Sequence, residues 1–344
     1  MTSKTGADYG ITRNLNEVVG ADRHPMDLSI IIVNWNSKDY LLKSISSIEA
    51  ETKGIEFEIV VIDSASFDGC EEVLRQNYPH VLFIQSDKNI GFAKANNEAF
   101  KVSGGQNILF LNPDTEIEGS AINDLYCQLS CLPNAGIVGA KLLNSDRSVQ
   151  KSCIRAFPTI LNQVLDSDML RKFFPSSGLW GTEPLLAKNE LPKEVDAISG
   201  ACIMMKRSVF ENIGMFSTDY FMYSEDIDLC FKVRKAELNT YYVPTAVIVH
   251  HGGVSSSQTN VNTFSTVMMM ESRWRFFRKT QSLWYARLYR LAMFGACVVR
   301  VGLLLFLWPF CRLLGKEPPS ENILKKWMAK LRWTLGGERW VKKC

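Results

Sequence analysis

Oxygen-bearing side chains follow one short apolar run in this sequence. The run at 107–111 is short, bounded and largely apolar, as expected of a strand buried on both faces of a sheet. It stops before Pro113, which has no N–H for a further strand hydrogen bond. Asp114 follows at once, between Asn112 and Glu116. Such oxygen ligands suit a hard divalent cation that holds a diphosphate, and a simple turn after a strand is the alternative.

Two further groups of ionisable side chains lie near the ends of predicted elements. Glu225, Asp226 and Asp228 open a helical pattern, where negative charge interacts favourably with the helix dipole. A carboxylate at that place that faces a crevice could instead act as a general base toward a hydroxyl group. His250 and His251 end an apolar run beside two glycines, which suits a metal ligand whose neighbouring backbone approaches a phosphate.

Short apolar runs alternate with helical patterns along the chain, which predicts an α/β fold with a mostly parallel sheet flanked by helices. Because the carboxyl ends of parallel strands meet at one edge of a sheet, the polar side chains after these runs should line one crevice. The predicted strands are 28–33, 57–62, 81–84, 107–111, 135–139, 199–205, 240–243 and 246–249. The polar side chains expected at the crevice are Asn34, Asp63, Asp68, Asn89 and Asp114.

Charge is distributed unevenly along the 344 residues, whose net charge is +3. Residues 271–344 hold 16 Lys and Arg against 4 Asp and Glu, a net of +12, whereas the preceding 270 residues carry −9. An acidic body with a basic, aromatic-rich tail indicates an anionic partner for the tail, either a membrane or a nucleic acid. The expected organisation is a disordered tail at 1–26, an α/β domain at 27–262 with an acceptor-side insertion at 144–195, and a helical membrane-associating region at 263–344.

Cysteine usage and the start of the chain both bear on the compartment. The nine cysteines show neither a C-x-x-C pair nor the spacing of zinc ligands. An odd number of cysteines scattered over so long a chain argues against a disulfide scaffold and for a reducing compartment. The first 26 residues lack the charged-then-apolar pattern of a secretory signal, so we expect the body of the protein in the cytoplasm.

The basic tail contains an apolar stretch at 291–311, about as long as the roughly 20 residues that a bilayer-spanning helix needs. Arg300 lies in its middle and makes spanning unfavourable by about 3 kcal/mol. Trp, Tyr, Arg and Lys flank the stretch, and a second basic amphipathic segment follows at 323–333. We therefore predict a helix that lies at the membrane interface or re-enters it, with a true span and a soluble core helix as alternatives.

Six segments carry a family resemblance as a set, although each alone is unspecific. They occur in order within roughly residues 27–255. On them the chain resembles the family-2 inverting glycosyltransferases of the GT-A fold, which is Rossmann-like, and in particular their rhamnosyltransferase-like branch. The segments are 29–34, 61–69, 89–97, 111–114, 224–230 and 250–253.

The resemblance implies a role for each matching residue. Asp226 matches the catalytic base, and Asp114 and His250 match residues that bind Mg²⁺ or Mn²⁺. Asn112 stands where most relatives carry an aspartate, which removes one charge from the metal site and is typical of the rhamnosyl branch. The residues implied to bind the nucleotide sugar are Asn34, Asp63, Asn89, Gly91, Lys94, Asn97 and Asn112.

The implied activity is transfer of L-rhamnose from dTDP-L-rhamnose to a growing cell-surface glycan, such as a cell-wall polysaccharide or O-antigen. A basic tail on the inner leaflet fits an acceptor that is linked to a lipid, at the cytoplasmic face of the inner membrane. A UDP- or GDP-sugar donor is one alternative, and an inactive nucleotide-binding or membrane-adaptor protein is another. Nucleic acid is not an expected partner, because the tail is rich in Leu and Val and contains no nucleic-acid-binding module.

Overall fold

The computed structural model describes residues 11–13, 26–150, 152–165, 190–252, 262–313 and 321–342. The chain divides into two compact units. The first unit comprises Met1–Arg155, Leu185–Thr218 and Glu225–Ser255, and the second comprises Ala156–Pro184, Asp219–Ser224 and Ser256–Cys344. The second unit therefore takes up part of the predicted insertion at 144–195, of which 151 and 166–189 lie outside the described residues.

Strands and helices alternate from β2 to β5 among the described elements, and several strands then follow one another without an intervening helix. The strands are β1 (Ile11–Arg13), β2 (Leu28–Asn34), β3 (Phe57–Ser64), β4 (Leu82–Ser86), β5 (Asn107–Leu111), β6 (Thr115–Ile117), β7 (Ala135–Leu143), β8 (Ile154–Arg155), β9 (Lys193–Val195), β10 (Ala197–Ile198), β11 (Cys202–Lys206) and β12 (Asn239–His250). The helices are α1 (Lys38–Glu51), α2 (Cys70–Asn77), α3 (Phe92–Phe100), α4 (Ala121–Cys131), α5 (Ile160–Val164), α6 (Arg207–Asn212), α7 (Glu225–Lys235), α8 (Asn262–Thr280), α9 (Leu283–Leu313) and α10 (Glu321–Thr334).

The centre of the first unit is a 10-stranded sheet in the order β1-β4-β3-β2-β5-β11-β7-β12-β6, with β9 also paired to β12. Strands β2 to β5 run parallel, and Ile32 on β2 pairs with Val61 on one side and Leu111 on the other. Every residue of β2 is buried, as expected for a strand covered on both faces. The predicted α/β class, with a central sheet flanked by helices, is confirmed.

The sheet becomes mixed beyond β5, which differs from the mostly parallel sheet that the apolar runs predicted. Strand β11 lies antiparallel between β5 and β7, with Cys202 opposite Leu111 and Met204 opposite Val138. Strands β6 and β9 also run antiparallel to β12. A buried apolar run has the same composition in either direction, so the sequence pattern could not reveal this reversal.

Two local features also differ from expectation. The two strands predicted at 240–243 and 246–249 form one strand, β12, whose register with β7 shifts between Val243 and Val247. Pro244 lies inside that shift, where its missing N–H does not interrupt a regular ladder. Ile11–Arg13, within the tail expected to be disordered, pairs with β4, because an edge strand offers unpaired N–H and C=O groups.

A buried carboxylate on α8 contacts the other two long helices of the second unit, α9 and α10. Glu271 on α8 is 3% exposed and accepts a hydrogen bond of 2.9 Å from Trp333 Nε1 on α10. Arg290 on α9 places its Nη2 atom 3.9 Å from the same carboxylate, and its guanidinium lies 4.5 Å from the centre of the Trp333 ring. This pairing stabilises a charge that would be costly to bury alone.

Asn97 on α3 joins that helix to the segment after α6 in the first unit. Its amide nitrogen donates to the Phe216 carbonyl at 2.8 Å, and its amide oxygen accepts from the Phe216 N–H at 3.1 Å. Both residues are buried. Asn97→Ala should lower the free energy of unfolding by about 2 kcal/mol, since it leaves a buried backbone donor and acceptor unpaired. Urea denaturation of purified protein measures this loss.

Asn123→Ala is the matched control for that experiment. The Asn123 amide makes the same two-bond contact with the backbone of Lys53, at 2.6 and 3.4 Å, but at an exposed place where water can replace it. We expect its effect to be less than half as large. Equal losses from the two variants would contradict the role assigned to burial at Asn97.

Candidate active site

Four parallel strands end at one edge of the sheet and bring their following loops together. Asn34 at the end of β2 is in register with Asp63 near the end of β3. The loop at 87–91 follows β4, and 112–114 follows β5 at the same edge. These loops hold most of the residues that the sequence predicted for nucleotide-sugar binding, so the structure brings those residues to one edge of the first unit.

Asp63 is the most heavily hydrogen-bonded of the predicted binding residues. Its Oδ1 accepts from Asn34 Nδ2 at 2.7 Å and from Ser66 Oγ at 2.6 Å, and its Oδ2 accepts from the Ser66 N–H at 2.8 Å and from Gln85 Nε2 at 2.9 Å. The residue is 1% exposed. Because each carboxylate oxygen already has two donors, a nucleotide base that contacts Asp63 must displace one of them.

The loops beside Asp63 contain backbone conformations that are uncommon for their residue types. Ala65 and Phe67 have φ angles of +60° and +50°, in the left-handed region. Such conformations cost roughly 1–3 kcal/mol each and are frequent at ligand-binding sites. Gly91, with φ of +79° and ψ of 162°, occupies a conformation open essentially only to glycine, and the Asn89 side chain accepts its N–H at 3.0 Å. Lys94 follows, half-buried in the first turn of α3.

His250 is held in one tautomer by Gln150. The Gln150 Nε2 atom donates to the His250 carbonyl at 2.7 Å, which turns the Gln150 Oε1 atom toward His250 Nδ1 at 2.9 Å. Since that oxygen can only accept, Nδ1 carries the proton, and in the neutral ring Nε2 presents its lone pair. A metal-binding histidine usually has this arrangement, with its second nitrogen donating to an oxygen.

The lone pair of His250 Nε2 points at a place where a cation fits. Asp114 Oδ1 lies 3.3 Å from Nε2, and the Asn112 amide donates a hydrogen bond to the Nε2 lone pair at 3.2 Å. A cation bound by Nε2 and Asp114 would take the place of this amide N–H. Ligands bound at right angles to one ion, each at about 2.1 Å, are about 3 Å apart, so the residues present fit Mg²⁺ or Mn²⁺.

The pair is small for a metal site made by protein alone. In the part of the chain that the structure describes, no group of three or more His, Cys, Asp and Glu side chains is arranged to hold a metal ion. Asn112 supplies an amide where a second carboxylate could stand, as the sequence predicted. A bound ion would therefore take most of its ligands from water and from a diphosphate, which is the usual way Mg²⁺ is bound with phosphates.

Asp226, the predicted base, is held on α7 by three donors. Its Oδ2 accepts from the Gly200 N–H at 3.1 Å and from Arg155 Nη1 at 3.3 Å, and its Oδ1 accepts from the Ile227 N–H at 2.8 Å. A Cβ atom on Gly200 would lie 3.2 Å from Asp226 Cβ, which is a tight contact, so glycine favours this close approach of the backbone to the carboxylate. Oδ1 retains capacity for one more hydrogen bond, which is what a base needs.

Asp228 and His251, which lie close in sequence to Asp226 and His250, have structural partners instead. Asp228 is 1% exposed, accepts a hydrogen bond from Ser217 Oγ and lies 3.8 Å from Lys232 Nζ. His251 uses Nδ1 toward Ser145 Oγ at 2.8 Å and Nε2 toward Glu116 Oε1 at 2.9 Å. These contacts favour Asp226 over Asp228 as base, and His250 over His251 as ligand.

One backbone contact places the Asp226 environment beside the Asp114 pair. The N–H of Asn112 donates to the Ala201 carbonyl at 3.0 Å, next to Gly200, which holds Asp226. The predicted base and the predicted metal ligands thus lie at the same edge of the sheet. Asn97 alone among the predicted binding residues has both amide atoms occupied by backbone. Contact with a nucleotide sugar stays a prediction for every one of these residues.

Sequence reasoning missed the residues that orient the predicted ones. These are Gln85 for Asp63, Gln150 for His250, and Arg155 with Gly200 for Asp226. Their partners lie 22 to 100 residues away in the chain, so no local spacing reveals them. Only Gly200 gave a signal, because a glycine inside a predicted strand, here 199–205, often marks a close approach of backbone.

The fold and this sheet edge define a GT-A-like protein. A mannosyltransferase from Pyrobaculum calidifontis, solved in complex with GDP-Man and Mn²⁺, superposes with a TM-score of 0.52 over 96% of this chain and 90% of that chain, at 12% identity. An identity this low bears on the fold alone. The model of glycosyl transferase family 2 matches residues 29–214, more than half of the chain. The chain therefore belongs to this family and is a glycosyltransferase.

The relatives include rhamnosyltransferases. The N-acetylglucosaminyl-diphospho-decaprenol L-rhamnosyltransferase of Mycobacterium tuberculosis is 26% identical over 287 residues, which cover 79% of this chain and 91% of that protein. A rhamnosyltransferase of Escherichia coli K12 is 26% identical over 239 residues, covering 64% of this chain and 82% of that protein. The family resemblance drawn from six short segments is confirmed.

The His250 geometry predicts metal binding that does not depend on activity. Wild-type protein with dTDP should gain several degrees in melting temperature when Mn²⁺ is added, because binding to the folded state stabilises it. His250→Ala should lose this Mn²⁺-dependent gain, since it removes the lone pair beside Asp114. Differential scanning fluorimetry over a Mn²⁺ series measures the effect.

His251→Ala is the matched control, because the adjacent ring has other partners. It should lower the melting temperature overall yet keep the Mn²⁺-dependent gain. Asn112→Asp should reach the same gain at a lower Mn²⁺ concentration, since it adds a carboxylate to the pair. A gain of the same size in the His250 and His251 variants would show that the ion binds elsewhere.

Proposed function

We propose that this glycosyltransferase transfers L-rhamnose from dTDP-L-rhamnose to a lipid-linked glycan acceptor, with inversion at the anomeric carbon. The observation that supports it most is the short link from Asp226 through Gly200 and Ala201 to Asn112, beside Asp114 and His250. A base and a diphosphate site at one sheet edge are what a single displacement requires. The rhamnosyl donor is supported by two relatives that are named rhamnosyltransferases.

The chemistry follows from the charges of these side chains. The acceptor hydroxyl attacks the anomeric carbon while Asp226 Oδ1 takes its proton, and the bond from that carbon to the diphosphate oxygen breaks. Gly200 and Arg155 hold the other oxygen of Asp226, so the carboxylate is oriented before the acceptor arrives. A divalent cation on Asp114 and His250 would neutralise the charge that develops on the leaving diphosphate.

Nucleotide binding is assigned to the loops around Asp63. The carboxylate keeps Asn34, Ser66 and Gln85 in place, and these polar groups surround the site proposed for the base. The loop with Asn89 and Gly91 is assigned to the ribose and diphosphate, to which glycine allows a close backbone approach. Lys94 and Asn112 complete the proposed donor site, and Asn97, whose amide pairs with the Phe216 backbone, is assigned to holding α3 in place beside it.

A lipid-linked acceptor is supported by two observations. The relative from Mycobacterium tuberculosis is named for an acceptor on decaprenyl diphosphate. One helix among the described residues is also long and apolar enough to cross a membrane, judged by length and composition. We therefore assign the enzyme to the cytoplasmic face of the inner membrane, where it extends a glycan destined for the cell surface.

Asp226→Asn tests the assignment of the base. We expect transfer to fall at least 100-fold, because the amide cannot take the proton, while affinity for the nucleotide sugar stays within about twofold. Turnover is measured by release of dTDP, and affinity by the donor-dependent shift in melting temperature. Asp228→Asn should instead lower the melting temperature without donor, owing to its buried contact with Ser217. Near wild-type turnover in the Asp226 variant would place the base elsewhere.

A donor screen tests the activity as a whole. Full-length protein is incubated with dTDP-L-rhamnose and with UDP- and GDP-sugars, and release of each nucleoside diphosphate is measured. The proposal expects dTDP-L-rhamnose to be consumed at least tenfold faster than the others. Preference for a UDP- or GDP-sugar would overturn the donor assignment. Binding without consumption of any sugar nucleotide would favour the inactive adaptor.

A further inference from the structure

Helix α9 has two apolar faces with different surroundings. One face is buried within the second unit by residues at a spacing of three or four, which are Ala286, Tyr289, Met293, Cys297 and Val301. The opposite face is exposed and contains Gly295, Gly302 and a series of large apolar side chains, which include Leu288, Leu291, Phe294, Val298, Val299, Leu303 and Phe306. Only 17% of an 18-residue window within the apolar stretch Leu283–Trp308 is buried, whereas the core helix of a soluble protein is mostly buried.

Arg300 shows why this helix does not pass through a bilayer alone. Its guanidinium lies 4.4 Å from the centre of the Trp327 ring on α10, and its Nη2 atom donates to the Val164 carbonyl at the end of α5 at 2.8 Å. Tyr285 Oη accepts from the Ile160 N–H at 3.3 Å at the other end of α5. Protein groups on the buried side thus contact the charge in the middle of the apolar stretch.

The neighbouring helices are too polar to enter hydrocarbon with α9. Helix α10 packs along α9, since Trp333 lies near Tyr289 and Trp327 near Arg300. It carries Lys325, Lys326, Lys330 and Arg332 within 14 residues. A spanning α9 would either pull these charges into the membrane, at about 3 kcal/mol each, or break the contacts of its buried face.

Charges at the start of α9 identify the occupant of the exposed face. Trp284 is exposed, and the guanidinium of Arg287 lies 5.0 Å from the centre of its ring. Arg278 and Lys279, also exposed, end the preceding helix α8. Exposed tryptophan and arginine beside an apolar surface are typical of a membrane interface, and the net charge of +12 over 271–344 complements anionic headgroups.

We infer that α9 lies in the plane of one leaflet of an anionic bilayer. Its exposed face, from Leu288 to Phe306, enters the acyl chains, and its buried face stays with the protein. A helix seated this way is sunk by about 5–10 Å along its whole length. The inference rests on the second unit alone, so it can fail while sugar transfer holds, and the reverse.

Depth measurement separates a helix in the plane from one that spans. Leu288, Val299 and Phe306 project within about 20° of each other on the helix, and the first and last are about 27 Å apart along its axis. Each is replaced by cysteine in full-length protein in which Cys127, Cys131, Cys311 and Cys344 are serine. A bimane label on each cysteine is then quenched by lipids brominated at known depths, in vesicles of phosphatidylglycerol and phosphatidylethanolamine.

The in-plane helix predicts one shallow depth for all three labels, equal within about 5 Å. A spanning helix puts the labels at 288 and 306 near opposite interfaces and the label at 299 near the centre, which is about 15 Å deep. That pattern would overturn the inference. Labels that stay accessible to iodide in the presence of vesicles would overturn it too. Labels that are shielded from iodide without vesicles would also overturn it, because a second copy of the chain would then cover the exposed face.

Vesicle flotation gives an independent readout with a matched control. Val299→Asp and Phe306→Asp should each weaken binding to the anionic vesicles at least tenfold, because a carboxylate replaces an apolar group that enters the acyl chains. Leu191→Asp changes a side chain that is 77% exposed in the first unit and should leave binding unchanged. Equal binding by all three variants would overturn the inference, provided that circular dichroism shows that each is folded.

Discussion

The antiparallel pairing of β11 with β5 is the constraint on which the candidate site depends. Parallel strands alone deliver Asp63 and Asp114 to one edge, because each strand ends there. A strand that runs backward begins at the same edge, so the residues before it, Gly200 and Ala201, arrive beside Asn112. Gly200 in turn holds Asp226. Without this reversal the sheet would bring Asp114 and His250 together but would not bring Asp226 close to them.

The part of the fold that the sequence predicted is the part whose signals are local. A buried parallel strand is a run of apolar residues, and the polar residues that follow it must lie at the carboxyl edge, whatever happens elsewhere in the chain. Strand direction is not local, so the reversal of β11 had no signature in its composition. The continuity of β12 through Pro244 was equally hidden, since a proline is compatible with a bulge as well as a strand end.

The candidate site likewise contains residues that the sequence could indicate and residues that it could not. The sequence could single out Asp114, Asp226 and His250 as candidates because their residue types carry chemistry, whereas the residues that orient them are ordinary in type. Gln150 fixes the tautomer of His250 from 100 residues away, through a carbonyl and a ring nitrogen that no sequence pattern connects. Asn97 is the converse case, since its type and position indicated a ligand contact while its amide pairs with the Phe216 backbone.

The same reasoning explains why hydropathy could not decide the fate of the C-terminal apolar stretch. Both faces of α9 are apolar, so its sequence resembles that of a spanning helix, and only the positions of α5, α8 and α10 distinguish the two faces. Arg300 gave the one local warning, as a charge that hydrocarbon would not accept. Its contacts with Trp327 and Val164 show that the charge belongs to the protein side. Both faces of the helix are therefore apolar in sequence and differ only in their surroundings. Neighbouring helices cover one face, and the other is exposed.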